Sequence, residues 1–256
     1  MSEAAQPRRA WITGASSGLG RALALKMAAE GWQVAASARS REQLEAVAAL
    51  ASAFPGSIAP FALDVTDRAA VAATSERMIA DFGLPDLAVL NAGTHKPTPA
   101  GSFAVEDFRN LVELNLMGTL NCLEALLPPL RARGSGRIAL VASLAGYFGL
   151  PLAGGYGMTK AGLINLAEAL RPELEAEGLS LQIVNPGFVK TPLTDRNRFH
   201  MPFLMEVEDA AEALYAGLQG KAFEITFPRR FAYLLKLLRL LPYPLALAVT
   251  RRLLPK

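Results

Sequence analysis

Cys122 is the only cysteine among 256 residues. A lone thiol excludes an intramolecular disulfide and any Cys-rich metal site. Residues 120–127 around it are apolar with helical spacing, so Cys122 reads as a small buried hydrophobe, not a reactive thiol. His95 and His200 are the two histidines. Both fall in loop-like stretches, and no His/Asp/Glu cluster has metal-ligand spacing. No metal is expected, and neither histidine is given a catalytic role. No stretch reaches the roughly 20 apolar residues that a membrane-spanning helix needs. The polar residues 1–9 lack the apolar run of a secretory leader. Together these absences imply a cytoplasmic, reducing setting. Carboxylates are missing from 228–256, which carries Arg229, Arg230, Lys236, Arg239, Arg251, Arg252 and Lys256. The rest of the chain holds 19 basic against 23 acidic residues, so the net charge of +3 belongs to the tail. A nucleic-acid surface would instead show a basic stripe across the body, and none is expected.

What is present is apolar and alternating. Hydrophobic residues make up 52% of the chain, enough for a full core in one large domain. Strands are predicted at 10–13, 33–38, 58–63, 87–90, 137–142, 180–184 and 222–227. Helices are predicted at 21–30, 41–53, 67–82, 105–133, 156–177 and 208–218, with Asp67 as a cap. This order implies an α/β, Rossmann-type doubly wound fold: a mostly parallel seven-stranded sheet with helices on both faces. Such sheets bind ligands at the carboxyl ends of their strands. Every motif below lies at such an end or starts the next helix. The expected division is a catalytic domain at 1–227, with a lid at about 191–207, and a basic amphipathic tail at 228–256.

Gly14, Ser16, Ser17, Gly18, Leu19 and Gly20 join the first strand to the first helix. Glycines let backbone amides approach a pyrophosphate, and the helix N-terminus favours its charge. The Thr-Gly-x-x-x-Gly-x-Gly spacing, Thr13 to Gly20, resembles the compact single-domain subgroup of the short-chain dehydrogenase/reductase family. Later motifs extend the resemblance over about residues 10–227. After the second strand stands Arg39, with no carboxylate beside it. An acid there holds the ribose 2′-hydroxyl of NAD, whereas a basic residue accommodates the 2′-phosphate of NADP. NADP(H) is therefore expected over NAD(H), with Ser40 and Arg41 as possible helpers. Family members preferring NADP often carry a basic residue where this chain has Ser17, so the preference is expected to be incomplete. The resemblance places Asp64 and Val65 at the adenine pocket, although Asp64 also reads as a turn aspartate. It sets Asn91, Ala92 and Gly93 beside the adenosine ribose, with Leu90 where the family commonly has a second Asn.

Tyr156 and Lys160 stand at i and i+4 of a helix and so share a face. A free phenol titrates near about 10, and a nearby cation lowers that value. Ser143 lies thirteen positions upstream, a separation typical of the family. The resemblance assigns Tyr156 as acid–base group and Ser143 as the hydrogen-bonding partner of the substrate oxygen. It assigns Lys160 to the nicotinamide ribose, and Asn115 to a water link between Lys160 and solvent. It sets Pro186, Gly187, Val189 and Thr191 around the nicotinamide carboxamide. The implied reaction is hydride transfer between cofactor and a carbonyl/alcohol pair, in the reducing direction. The implied assembly is a homodimer or homotetramer.

The lid carries Phe199, Met201, Pro202, Phe203, Leu204 and Met205, which suggests an apolar, lipid-like substrate, though these side chains also suit packing on the body. In the tail, Phe231, Leu234, Leu235, Leu238 and Leu241 share a face. That face fits peripheral attachment to an anionic membrane, or packing on a subunit. Two other classes compete with the enzyme: a non-enzymatic NADP-binding scaffold and a membrane-surface adaptor. The intact Ser143, Tyr156 and Lys160 set argues against a pure binder, which needs no phenol.

Overall fold

The computed structural model describes residues 8–195 and 201–254. Phe199 and His200 lie outside them. Seven parallel strands form one sheet: β1 (Arg9–Thr13), β2 (Gln33–Ala38), β3 (Ser57–Ala62), β4 (Leu87–Leu90), β5 (Gly136–Val141), β6 (Leu179–Pro186) and β7 (Glu224–Phe227). Their spatial order is β3-β2-β1-β4-β5-β6-β7. The order reverses at β1, where the connection leaves first to one side and then to the other. A crevice at such a switch point is the ligand position in open α/β sheets.

Alternation along each strand supplies both faces of the sheet. Trp11 packs into one core, and its neighbours Ala10 and Ile12 into the other. Three helices cover the second face: α1 (Gly18–Ala29), α2 (Arg41–Leu50) and, last in chain order, α7 (Val207–Gln219). The first face takes α3 (Arg68–Phe82), α5 (Gly118–Arg133) and α6 (Gly154–Ala176). Asp67 caps α3 as expected, accepting from the Ala70 N–H at 2.9 Å. Cys122 is buried, and burial pushes its thiol pKa up to about 12, in keeping with an inert hydrophobe.

The predicted helix over 105–133 is interrupted. It comprises α4 (Val105–Val112), a wide π turn at Glu113–Met117, and α5. The Gly118 N–H reaches back to Glu113, five residues away. One extra residue in the turn rotates Asn115 inward, where it is fully buried. Helical periodicity cannot reveal this, because a single inserted residue leaves the flanking patterns intact.

The tail continues as α8 (Arg229–Leu240) and α9 (Tyr243–Arg251). Ala232, Leu235 and Leu238 are buried in the first core, with Phe231 and Leu241 packed against it. Most of the apolar face expected for the tail is thus covered by the chain's own body. Lys236 pairs with Glu224 of β7, which also accepts from Tyr147 and from Asn185 Nδ2, the latter at 2.9 Å. No helix among the described residues is long and apolar enough to cross a membrane.

Candidate active site

The loops after β1, β2, β3, β4, β5 and β6 converge on one cleft of about 570 Å³. Its walls include the phosphate turn from Gly14 to Gly20, then Arg39, Asp64 and Val65, and the Asn91–Gly93 turn. Ser143, Tyr156, Lys160, Pro186, Gly187, Val189 and Thr191 complete it. These residues span 178 positions of sequence, yet the sheet brings them to one opening because all seven strands point the same way.

The phosphate turn is built close. Gly14 has φ +70° and Gly18 φ +53°, in the left-handed region that favours glycine. A Cβ at Gly20 would stand 2.3 Å from the Gly14 carbonyl oxygen and 2.5 Å from Asn91 Nδ2. Asn91 Nδ2 donates to the carbonyls of Thr13 (3.0 Å) and Gly14 (3.3 Å). The Thr13 hydroxyl accepts from the N–H groups of both Asn91 and Ala92, each at 3.0 Å. Thr13 therefore clamps two strand ends together, a role the sequence reading missed. The only signal was a hydroxyl residue at the last position of the strand. A backbone this close at the N-terminus of α1 fits a dinucleotide pyrophosphate. Gly20→Ala is expected to displace the turn and weaken NADPH binding roughly 10- to 100-fold in a fluorescence titration. Unchanged affinity would show that the turn does not hold the cofactor.

Arg39 follows β2 on the cleft wall. Of its two expected helpers, Ser40 shares the cleft wall and Arg41 is not on it. The Ser40 hydroxyl caps α2 by accepting from the Gln43 N–H at 3.2 Å, and Arg41 pairs with Glu45 at 2.8 Å. Gln43, which the sequence reading did not name, joins Arg39 on the wall. Asp64 accepts from the N–H (3.0 Å) and hydroxyl (2.8 Å) of Thr66 with one carboxylate oxygen. These bonds hold its pKa below the usual range against the cost of burial, and the charge of Arg39 adds to the effect. Asp64 makes a turn with Thr66 and also lines the cleft.

At the other end, Ser143 Oγ donates to the Pro186 carbonyl at 3.3 Å and accepts from the Ala145 N–H at 3.1 Å. Lys160 is buried and donates to the Val141 carbonyl at 2.8 Å. Burial lowers its pKa to about 8. The Lys160 ammonium lies 5.7 Å from the centre of the Tyr156 ring. Burial raises the Tyr156 pKa, and a hydrogen bond with Ser143 opposes it. In the protein alone desolvation outweighs the Ser143 hydrogen bond, so the phenol stands above its ordinary value. A phenol kept protonated is suited to donate a proton.

Asn115 is not on the cleft wall. Its Oδ1 accepts from the Thr94 N–H at 2.8 Å, and its Nδ2 donates to the Thr94 carbonyl and the Thr159 hydroxyl, each at 3.0 Å. It approaches Lys160 behind Gly93, where a Cβ would lie 3.1 Å from Asn115 Oδ1 and 3.4 Å from Lys160 Nζ. By gripping Thr94, Asn115 fixes the loop that follows β4. That loop brings His95 edge-on to Tyr156, with ring centres 4.9 Å apart and planes at 77°. His95 was set aside by the sequence reading; only the loop's path reveals its place against the phenol. Among the described residues no group of His, Cys, Asp or Glu could hold a metal.

Comparison with known proteins agrees with this architecture. The family model described as short chain dehydrogenase matches residues 8–201. An uncharacterized oxidoreductase of Myxococcus xanthus is 39% identical over 96% of this chain and 97% of its own. A 3-oxoacyl-[acyl-carrier-protein] reductase of Thermotoga maritima is 33% identical over 72% of this chain and 75% of its own. Among solved structures, an alcohol dehydrogenase of Thermococcus sibiricus complexed with 5-hydroxy-NADP has a TM-score of 0.79 at 27% identity, covering 87% of this chain and 96% of that one. A short-chain dehydrogenase of Sphingobium yanoikuyae in complex with NADPH also has a TM-score of 0.79 at 27% identity, covering 86% and 88%. With its crossover sheet, close-built phosphate turn and Ser143, Tyr156 and Lys160 on one cleft, this oxidoreductase belongs to the short-chain dehydrogenase/reductase family.

Proposed function

We propose that the protein is an NADP(H)-dependent oxidoreductase that reduces a carbonyl to an alcohol, with Tyr156 as acid–base group. The observation that carries this reading is the placement of Ser143, Tyr156 and Lys160 at one end of a cleft whose other end holds Arg39. NADP(H), when bound, supplies or accepts the hydride. Arg39 pairs with the 2′-phosphate, and the amides of the 14–20 turn hold the pyrophosphate. Val65 with Asp64 borders the adenine, and Gly187, Val189 and Thr191 hold the carboxamide. Related proteins bound to NADPH or an NADP derivative support the choice of dinucleotide.

Tyr156 delivers a proton to the substrate oxygen, which Ser143 orients. Lys160 holds the nicotinamide ribose and, through water and Asn115, returns a proton to the phenol. The substrate is apolar and lipid-like, in keeping with Phe203, Leu204 and Met205 on the lid. The enzyme works in the cytoplasm as a homodimer or homotetramer, with residues 228–256 in contact with a membrane surface.

The test is oxidation of NADPH, beside NADH, over a detergent-dispersed carbonyl panel. NADPH-selective turnover supports the reading; failure to bind NADPH at all overturns both it and the NADP-binding scaffold alternative. A pH series adds a second check. Reduction needs the phenol protonated, so the rate falls as pH rises through the Tyr156 pKa. His95 covers that ring. His95→Ala lets water in, lowers the phenol pKa and is expected to move the basic limb about 0.5–1 unit toward lower pH. His95→Phe keeps an edge contact and is expected to leave the limb in place. Equal profiles for wild type and His95→Ala would remove His95 from this role.

A further inference from the structure

Helix α8 has two apolar faces, and the body covers only one. Phe231, Ala232, Leu235 and Leu238 face inward. On the opposite side Tyr233, Leu237 and Leu240 are 67%, 58% and 80% exposed. The sequence reading did not mark this outer row. On α9, Tyr243 and Leu247 are also more than half exposed. A row of exposed large apolar side chains on one helix face marks an interaction site.

The charge around the row selects the partner. Arg229, Arg230, Arg239, Arg251 and Arg252 are exposed, and none has an ion pair among the described residues. Lys236 is already paired with Glu224. With no acid in 228–256, a second copy meeting this face about a two-fold axis would set two cationic surfaces against each other. An anionic bilayer instead offers phosphate for the guanidinium groups, hydrocarbon for the leucines and an interface for the two tyrosines.

The inner face of the same helix reaches the lid. Phe231 stacks on Phe203 at 5.8 Å and on Phe188 at 5.7 Å, the latter one residue after Gly187 of the cleft wall. A Cβ at Gly187 would touch Phe231 at 3.2 Å and Pro228 at 3.1 Å. Phe203 and Leu204 are themselves exposed beside this stack. We infer that Tyr233, Leu237, Leu240, Tyr243 and the arginines form the seat of an anionic bilayer, on a helix whose other face touches Phe188 and Phe203 through Phe231. The substrate class is then a carbonyl compound dissolved in the bilayer, which rests on the oxidoreductase reading above.

Point substitutions test this, since deleting the tail would also remove Phe231 from its packing against Phe188 and Phe203. The full chain is sedimented with vesicles of phosphatidylcholine alone or mixed with phosphatidylglycerol, at low and high salt. Wild type is expected to pellet with anionic vesicles and to be released by salt. Leu237→Glu with Leu240→Glu, and separately Arg229→Ser with Arg230→Ser, are expected to weaken pelleting roughly tenfold or more. Both variants are expected to keep wild-type melting temperature, NADPH affinity and turnover of a short water-soluble aldehyde. Turnover of a long-chain aldehyde loaded in anionic vesicles is expected to fall with pelleting. Negligible wild-type pelleting, equal pelleting of the variants, or a Leu237→Glu/Leu240→Glu variant that changes oligomeric state in gel filtration each overturns the bilayer assignment. Vesicle binding without turnover of either aldehyde overturns the oxidoreductase reading and leaves the bilayer seat standing.

Discussion

Tyr156→Phe is expected to lower kcat for NADPH-dependent carbonyl reduction on the order of 10³-fold. The substitution removes one oxygen and keeps the ring. The edge contact with His95 is retained, so the wall of the cleft survives. The hydroxyl is the group that burial keeps protonated and that hydrogen-bonds Ser143. Its loss deletes the proton donor and leaves the cofactor's phosphate and adenine contacts in place. NADPH affinity should stay within about tenfold of wild type, the worth of one hydrogen bond. Stopped-flow or steady-state absorbance of NADPH, paired with a fluorescence titration, separates the two effects. A variant that turns over at the wild-type rate would remove Tyr156 from the chemistry.

Arg39→Asp should raise the KM for NADPH about 100-fold and leave the KM for NADH within about threefold. A charge-assisted bond to a phosphate contributes about 1.5–3 kcal/mol, and the new carboxylate adds repulsion. Among the described residues Arg39 is the cation lining that end of the cleft, since Arg41 is off the wall and paired with Glu45. β2 and β5 lie three strand spacings apart, about 14 Å, with β1 and β4 between them. The change at Arg39 is therefore remote from Ser143 and should leave kcat with saturating NADPH near wild type. Equal loss with both cofactors would mean that Arg39 supports the fold and not the choice. The charge of Asp64 interacts with Arg39 and would repel a phosphate placed beside it. That repulsion is a physical reason to expect a graded preference.

The sequence alone determined the fold class and named residues of the cleft wall at six strand ends. Strand and helix periods are local properties, and each motif followed a strand end that the hydrophobic pattern made visible. Parallel strands then carry all their carboxyl ends to one side, so sequence position translated directly into place. Tertiary structure decided what no period encodes. The π turn at 113–117 turned Asn115 inward to grip Thr94, and so set His95 against Tyr156. Burial set the direction of the Tyr156 and Lys160 pKa shifts, because desolvation depends on everything packed around a group, not on its neighbour four residues away. It also decided which face of α8 met the body. Two apolar rows on one helix look alike in sequence, and only packing against Phe188, Phe203 and the core left Tyr233, Leu237 and Leu240 outside.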